Sequence, residues 1–141
     1  MTSAYEKFEQ LLRAEMRKIY SETTIDHIMN PRNIGRLDDA NGYAKITGPC
    51  GDTMQIFLKI EGNRIVDAKF LTNGCGATIA CGSMVTELVK GRTVAEAQKI
   101  NHEVILKALG GLPEQFVHCS ILASNTLKAA LESYLNPEEE T

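Results

Sequence analysis

The chain has 141 residues, 43% of them hydrophobic, which is enough for one domain with a well-formed core. Its formal net charge is −3, so it lacks the basic excess needed to bind nucleic acid or an anionic membrane surface. No apolar run is long enough to span a bilayer, and the first residues lack the apolar core of a secretory signal. We therefore expect a cytoplasmic protein whose four cysteines stay reduced and serve metal binding or sulfur chemistry rather than disulfides.

An amphipathic helix is predicted at the N-terminus, over residues 1–19. Its apolar face is formed by side chains three or four positions apart, namely Tyr5, Phe8, Leu12, Met16 and Ile19. The polar face is mixed in sign, which favours packing on the domain body or on a partner over a membrane surface. A second short helix is predicted over residues 22–29, and it must end before Pro31 because proline disfavours helical geometry in the residue ahead of it.

The clearest β pattern lies in the middle of the chain. Residues 54–60 and 66–70 alternate apolar and polar side chains, which is typical of half-buried strands, with Phe57 on the polar side of the pattern. The dipeptide Gly62-Asn63 between them suits a tight hairpin turn. Residues 42–47 can supply a third strand at one edge.

Helical periodicity takes over from residue 78. One helix is predicted to end at Gly91, a short one to begin at the capping box of residues 93–96, and another to run from Asn101 to Gly110. A last helix carries an apolar stripe formed by Leu127, Ala130, Leu131, Tyr134 and Leu135.

Strands followed by helices predict an α+β fold, in which helices cover one face of a small three-stranded antiparallel sheet. The chain then divides into the N-terminal helix at residues 1–19, the folded domain at residues 20–136 and a solvated tail at residues 137–141.

Two cysteines occupy matched positions on the predicted hairpin. Cys50 precedes its first strand and Cys75 follows its second, each twelve residues from the Gly62-Asn63 turn. Because the start of one antiparallel strand lies beside the end of its partner, the hairpin brings the two cysteines to the same end. Glycines flank both, and they allow a bulky group to approach the backbone closely.

Cys119 is predicted to lie near the N-terminus of the last helix. There the helix dipole is expected to lower the pKa of the thiol and favour the thiolate. Soft thiolates select zinc or iron–sulfur clusters, and the imidazole of His118 is acceptable to either. Cys81 falls in an apolar run, so we expect it to pack in the core, with proximity to the site as the alternative. No two of the cysteines form the C-x-x-C pair of zinc fingers or thioredoxin-like dithiols.

Five short blocks together resemble the IscU/NifU-type iron–sulfur scaffold family: Asp26-His27, Asn30-Pro31-Arg32-Asn33, Cys50-Gly51-Asp52, Gly74-Cys75-Gly76 and His118-Cys119-Ser120. Their order and spacing agree with the family from about residue 20 to residue 135. The resemblance implies a compact α+β domain with a three-stranded sheet and a metal site at one tip.

The resemblance also implies a role for each site residue. Cys50, Cys75 and Cys119 are implied as cluster ligands, with His118 as a possible fourth. Cys119 is implied as the acceptor of persulfide sulfur from a cysteine desulfurase, which suits a thiolate nucleophile. Asp52 is implied as the acid that modulates exchange of the cluster or metal. A carboxylate is a hard ligand that holds iron less firmly than a thiolate, although Asp52 could instead be a turn residue that caps backbone amides.

The function implied by the resemblance is that of a non-enzymatic assembly protein. Such a protein receives sulfur from the desulfurase, and iron and electrons from other donors, builds a [2Fe–2S] cluster and passes it to apo-proteins. The alternatives are a SufU-like zinc-dependent sulfurtransferase and a structural zinc domain. His118, and the lack of an insertion between the second and third cysteine regions, favour the scaffold, although zinc can occupy the same ligands. Whether the cluster lies within one chain or bridges a homodimer stays open.

One segment departs from the family pattern. Residues 112–116 read Leu-Pro-Glu-Gln-Phe, where family members that recruit a dedicated chaperone pair carry Leu-Pro-Pro-Val-Lys. The second proline, the valine and the lysine are absent, which makes the chaperone pair a doubtful partner. Phe116 also cannot assist iron or sulfur exchange as a lysine could.

Overall fold

A three-stranded antiparallel sheet lies at the centre of the fold, in a computed structural model that describes residues 3–137. Its strands, in spatial order, are β1 (Gly42–Thr47), β2 (Thr53–Glu61) and β3 (Arg64–Thr72). The β2–β3 turn consists of Gly62 at φ 57° and Asn63 at φ 61°, the left-handed pair that a tight hairpin turn requires. The predicted hairpin and its edge strand are therefore confirmed.

Helices precede and follow the sheet. They are α1 (Ala4–Met16), α2 (Glu22–Met29), α3 (Gly76–Val89), α4 (Val94–Ala97), α5 (His102–Leu109) and α6 (Val117–Leu135), with a 3-10 turn at Glu114–Phe116. The capping box formed by Thr93 and Glu96 starts α4, the Asn101 side chain caps α5, and Gly110 ends it at φ 79°. The predicted α+β fold class is confirmed.

The core lies between the sheet and the two longest helices. Helix α6 packs against β1 and β2, and α3 packs against β3. The alternate β2 side chains that face these helices are almost fully buried, namely Met54, Ile56, Leu58 and Ile60. The alternation of buried and exposed side chains predicted for β2 is wrong at Phe57. This residue lies on the opposite face of the sheet, yet it is only 7% exposed, because its ring packs on Tyr43 with the centroids 5.0 Å apart.

Helix α3 approaches the sheet closely at Gly82. A Cβ atom placed on this residue would lie 2.4 Å from a ring carbon of Phe70 in β3. The absence of a side chain at Gly82 thus sets the distance between α3 and the sheet, and α3 begins at the candidate site described below.

The predicted N-terminal helix is present, although it ends at Met16 rather than at residue 19. None of its side chains is buried, so within the described chain α1 does not pack on the domain body. No helix among residues 3–137 is long and apolar enough to cross a membrane. The predicted tail lies outside the described residues beyond Pro137, and the division of the chain into three parts stays a prediction.

Candidate metal centre

Three of the predicted site residues meet at the open end of the β2–β3 hairpin. Asp52 directly precedes β2, Cys75 is the residue that caps the N-terminus of α3, and Cys119 is in the first turn of α6. One carboxylate oxygen and two sulfurs lie within 4.8 Å of one another. This arrangement offers a metal ion two soft ligands and one hard ligand.

Cys50 lies at the same end of the hairpin but outside this group of three. A tight turn separates it from the group, because the Gly48 N–H donates to the Asp52 carbonyl at 2.8 Å and Gly51 adopts φ 92°. The turn leaves Cys50 exposed and places Asp52 beside Cys75. The equal spacing from the hairpin turn therefore predicts correctly that Cys50 and Cys75 lie at the same end of the hairpin, but it does not predict that their side chains stay apart. The role of Cys50 as a ligand stays a prediction.

His118 also lies outside the group of three, on the exposed side of Cys119. Its Nε2 atom is 3.7 Å from the Cys119 sulfur. The imidazole is therefore adjacent to one candidate ligand, and its own role as a ligand stays a prediction.

Thr78 lies at the centre of the site, and sequence reasoning missed it. Its hydroxyl donates to Oδ2 of Asp52 at 3.0 Å, and the same oxygen lies 3.4 Å from the Cys119 sulfur and 3.7 Å from the Cys75 sulfur. The residue is fully buried. The sequence does contain one indication of this role. Thr78 lies three positions after Cys75 in a predicted helix, and residues at that spacing share one helix face.

The two sulfurs of the group have opposite electrostatic environments. At Cys75, burial raises the pKa of the thiol, but the backbone N–H groups of Thr78 and Ala77 and the Thr78 hydroxyl outweigh it, so the pKa is below its ordinary value. Cys75 is the N-cap residue of α3, where the positive end of the helix dipole also favours a thiolate.

Cys119 behaves differently because it is only 1% exposed. Burial raises the pKa of its thiol to about 11, against the lowering effect of the Thr78 hydroxyl, and the nearby Cys75 and Asp52 charges raise it further. The prediction that the helix N-terminus lowers this pKa is therefore wrong. Desolvation of a buried thiolate outweighs the helix dipole at this position.

Thiol alkylation tests this difference in the metal-free protein. At about pH 8 roughly 0.1% of Cys119 is thiolate, so iodoacetamide is expected to label Cys50 and Cys75 first. Time-resolved mass spectrometry reports the order, with the urea-unfolded chain, in which all four cysteines are accessible, as the control. Labelling of Cys119 as fast as Cys75 would contradict it.

The raised pKa of Cys119 also predicts a pH dependence of stability. The unfolded chain releases this proton near pH 9 and the folded chain near pH 11, so the folded state binds more protons in that window. The free energy of unfolding is therefore expected to fall as the pH rises from about 9 to about 11.

An aromatic pair joins the turn after α1 to the turn before α6. The rings of Tyr20, in the turn after α1, and Phe116, in the 3-10 turn before α6, have centroids 5.9 Å apart at 33°. Burial raises the pKa of the Tyr20 phenol, and the charges of Cys75, Cys119 and Cys81 raise it further. Phe116, at the position where the family resemblance leads to lysine, instead packs on Tyr20 and on the buried core.

Removal of the Phe116 ring, three residues before Cys119, is expected to make the Cys119 thiol more accessible. The variant Phe116→Ala should raise the rate of Cys119 alkylation several-fold at constant pH, because the ring stacked on Tyr20 is lost. The matched control is Phe8→Ala, which removes an exposed ring of α1 and should leave that rate unchanged. Equal rates in both variants would mean that the aromatic pair does not shield the thiol.

Two further residues, Cys81 and His27, are structural. Cys81 is fully buried in the core, as predicted, and burial raises the pKa of its thiol. His27 is buried too, with its Nδ1 2.7 Å from the Ser83 hydroxyl, whose oxygen accepts the Arg32 N–H at 2.9 Å. This network joins α2, the loop that follows it and α3.

Comparison with known proteins agrees with this geometry. Residues 19–141 match the family described as NifU-like N terminal domain. The chain belongs to this family. The family predicted from the sequence blocks is thus confirmed.

Relatives of this NifU-like chain cover most of its length. Iron-sulfur cluster assembly scaffold protein IscU 1 of Archaeoglobus fulgidus is 49% identical over 117 residues, which are 82% of this chain and 76% of that protein. The protein IscU of Haemophilus influenzae, of the same description, is 49% identical over 120 residues, covering 82% and 94% respectively. A crystal structure of a SUF-system scaffold protein from Fervidobacterium islandicum superimposes with a TM-score of 0.65 at 26% identity, covering 81% of this chain and 97% of that one.

Proposed function

We propose that this NifU-like chain is a scaffold on which a [2Fe–2S] cluster is assembled and from which it is transferred to apo-proteins. The observation that carries the proposal is the convergence of two thiols and one carboxylate at the open end of a hairpin. Relatives named as assembly scaffolds share up to 49% of the matched residues. The chain acts in this proposal as a carrier rather than as an enzyme, and it does so in the cytoplasm.

The ligand set suits a cargo that must be released. Thiolates bind iron strongly, whereas a carboxylate is a harder and more exchangeable ligand. Cys75 and Cys119 are the strong ligands in this proposal, and Asp52 is the exchangeable one. Cys50 and His118, both exposed at the rim, complete the set when a cluster of two irons needs more ligands than the group of three supplies.

Sulfur enters on Cys119 in this proposal. Its thiolate attacks the outer sulfur of the persulfide on a cysteine desulfurase, so that a new S–S bond forms on Cys119 and the desulfurase thiolate leaves. Two electrons from a separate donor then reduce that sulfur to sulfide. Because the pKa of the free thiol is about 11, metal bound at the site promotes the step by favouring the thiolate.

A second candidate function is a zinc-dependent sulfurtransferase. Three ligand atoms within 4.8 Å suit a single ion, and zinc takes a tetrahedral set of sulfur, nitrogen and oxygen ligands. In this reading Cys50 or His118 supplies the fourth ligand. The chain then relays persulfide without building a cluster.

Anaerobic reconstitution separates these functions. The reduced protein is incubated with ferrous iron, cysteine, a cysteine desulfurase and an electron donor. Visible absorption, metal content and the mass of the peptide that contains Cys119 are then recorded. A cluster chromophore that moves to an apo-protein supports the scaffold. Bound zinc with persulfide on Cys119 and no chromophore supports the sulfurtransferase. Bound zinc without persulfide eliminates both transfer functions and leaves a structural zinc domain.

The same preparation tests two partner proposals. Size measurement before and after reconstitution shows whether the cluster bridges a homodimer. A chaperone pair is not expected to accelerate release through residues 112–116, since that segment lacks the second proline, the valine and the lysine.

A further inference from the structure

Thr78 contacts every member of the group of three. Its hydroxyl donates to Asp52 at 3.0 Å and lies 3.4 Å from the Cys119 sulfur and 3.7 Å from the Cys75 sulfur. A hydroxyl has a single proton, and the shorter, charge-assisted bond to the carboxylate takes it. Asp52 keeps its second carboxylate oxygen free of this bond.

Two other buried threonines, inside α3 and α6, use their hydroxyls differently. The Thr86 hydroxyl donates to the Gly82 carbonyl and the Thr126 hydroxyl to the Leu122 carbonyl, each at 2.7 Å and one helical turn back. That is the ordinary bond of a threonine inside a helix. Thr78, in the first turn of α3, instead directs its hydroxyl across the site to a residue of another element.

Gly74 provides the space for this bond. A Cβ atom at this position would lie 2.6 Å from Oγ1 of Thr78 and 2.8 Å from Oδ2 of Asp52. Both distances are far shorter than a van der Waals contact. The glycine ahead of Cys75 is therefore required by the Thr78–Asp52 pair.

We propose that Thr78 is a positioning residue of the metal centre, whose hydroxyl holds Asp52 by one oxygen and presents the other to a metal ion bound by Cys75 and Cys119. The inference rests on the proposed function, because it concerns the same site. Outer groups that orient a metal ligand commonly contribute a factor of about 10 to 100 in metal affinity. A threonine at this position therefore determines how tightly the site holds its ion.

Zinc affinity in reduced, anaerobic protein tests the proposal. It is measured by competition with a chromophoric chelator for the wild type, Thr78→Val, Thr78→Ser and Thr126→Val. Thr78→Val keeps the shape of the side chain and is expected to bind zinc about tenfold more weakly. Thr78→Ser keeps the hydroxyl and should restore the affinity. Thr126→Val, which loses an equally buried hydroxyl elsewhere, should bind zinc as the wild type does.

A double-mutant cycle identifies the partner. If the hydroxyl acts through Asp52, then Thr78→Val should have no further effect in an Asp52→Ala background. Additive losses, or zinc binding by Thr78→Val as tight as that of the wild type, would overturn the proposal. Circular dichroism checks that each variant folds. If Thr78→Val does not fold, Thr78→Ala replaces it in the same experiment, because alanine also lacks the hydroxyl and favours a helix.

Failure of the proposed function has a different signature. In that case the wild type itself neither binds zinc nor forms a cluster, and the Thr78 proposal falls with it. When the wild type binds zinc and only the difference between variants is missing, the positioning role alone is wrong.

Discussion

Replacing Asp52 by alanine is expected to slow cluster transfer to an apo-protein about tenfold, an increase of roughly 1.4 kcal/mol in the barrier. The reason is that, in the proposed function, Asp52 is the hard and readily exchanged ligand of the group of three, beside two thiols. Without it the cluster stays with thiolate ligands, and its lifetime on the scaffold should lengthen. Circular dichroism of the cluster, recorded after addition of the acceptor, measures both quantities.

The matched control for this experiment is Asp38→Ala. Asp38 is an exposed acid in the loop before β1, so its removal changes the net charge by the same amount. Transfer from this variant should equal that of the wild type. An Asp52→Ala protein that loses its cluster faster than the wild type would show that the carboxylate retains the cluster rather than releasing it.

Replacing Gly82 by alanine is expected to lower the free energy of unfolding by about 2 kcal/mol. The added Cβ would lie 2.4 Å from a ring carbon of Phe70, and a buried ring packed between helix and sheet cannot move aside freely. The helix propensity gained by the change is about 1 kcal/mol and offsets only part of the overpacking. Chemical denaturation followed by circular dichroism measures the difference.

Gly76→Ala is the matched control on the same helix. Its Cβ would meet the Ile28 side chain at 3.3 Å, a contact that a flexible side chain can relieve. We expect its stability to remain close to that of the wild type. Equal losses in the two variants would mean that helix packing against Phe70 is not the cause.

Local patterns predicted the fold well because they act over a few residues. The alternation over residues 54–60, the Gly62-Asn63 turn and the capping box at residues 93–96 each determine a backbone conformation without help from distant parts of the chain. The exception is Phe57, whose burial on the opposite sheet face depends on Tyr43 from another strand.

The site was predicted less completely, and its side chains show why. Equal spacing from the turn correctly placed Cys50 and Cys75 at one end of the hairpin. The chain reverses direction at residues 48–51, however, so that the side chain beside Cys75 is that of Asp52 and not that of Cys50. Thr78 carried no motif of its own. Its contact with Asp52 joins residues 26 positions apart, and only the packing of α3 against the hairpin creates it.

By itself, the sequence determined the family, the order of helices and strands, and the end of the hairpin at which the chemistry lies. The tertiary structure decided which of the candidate side chains converge, and in which ionisation state. Cys119 shows the difference most clearly: its place at a helix N-terminus follows from local pattern and predicts a lowered pKa. The burial that raises this pKa to about 11 comes from side chains that reach the thiol from other elements.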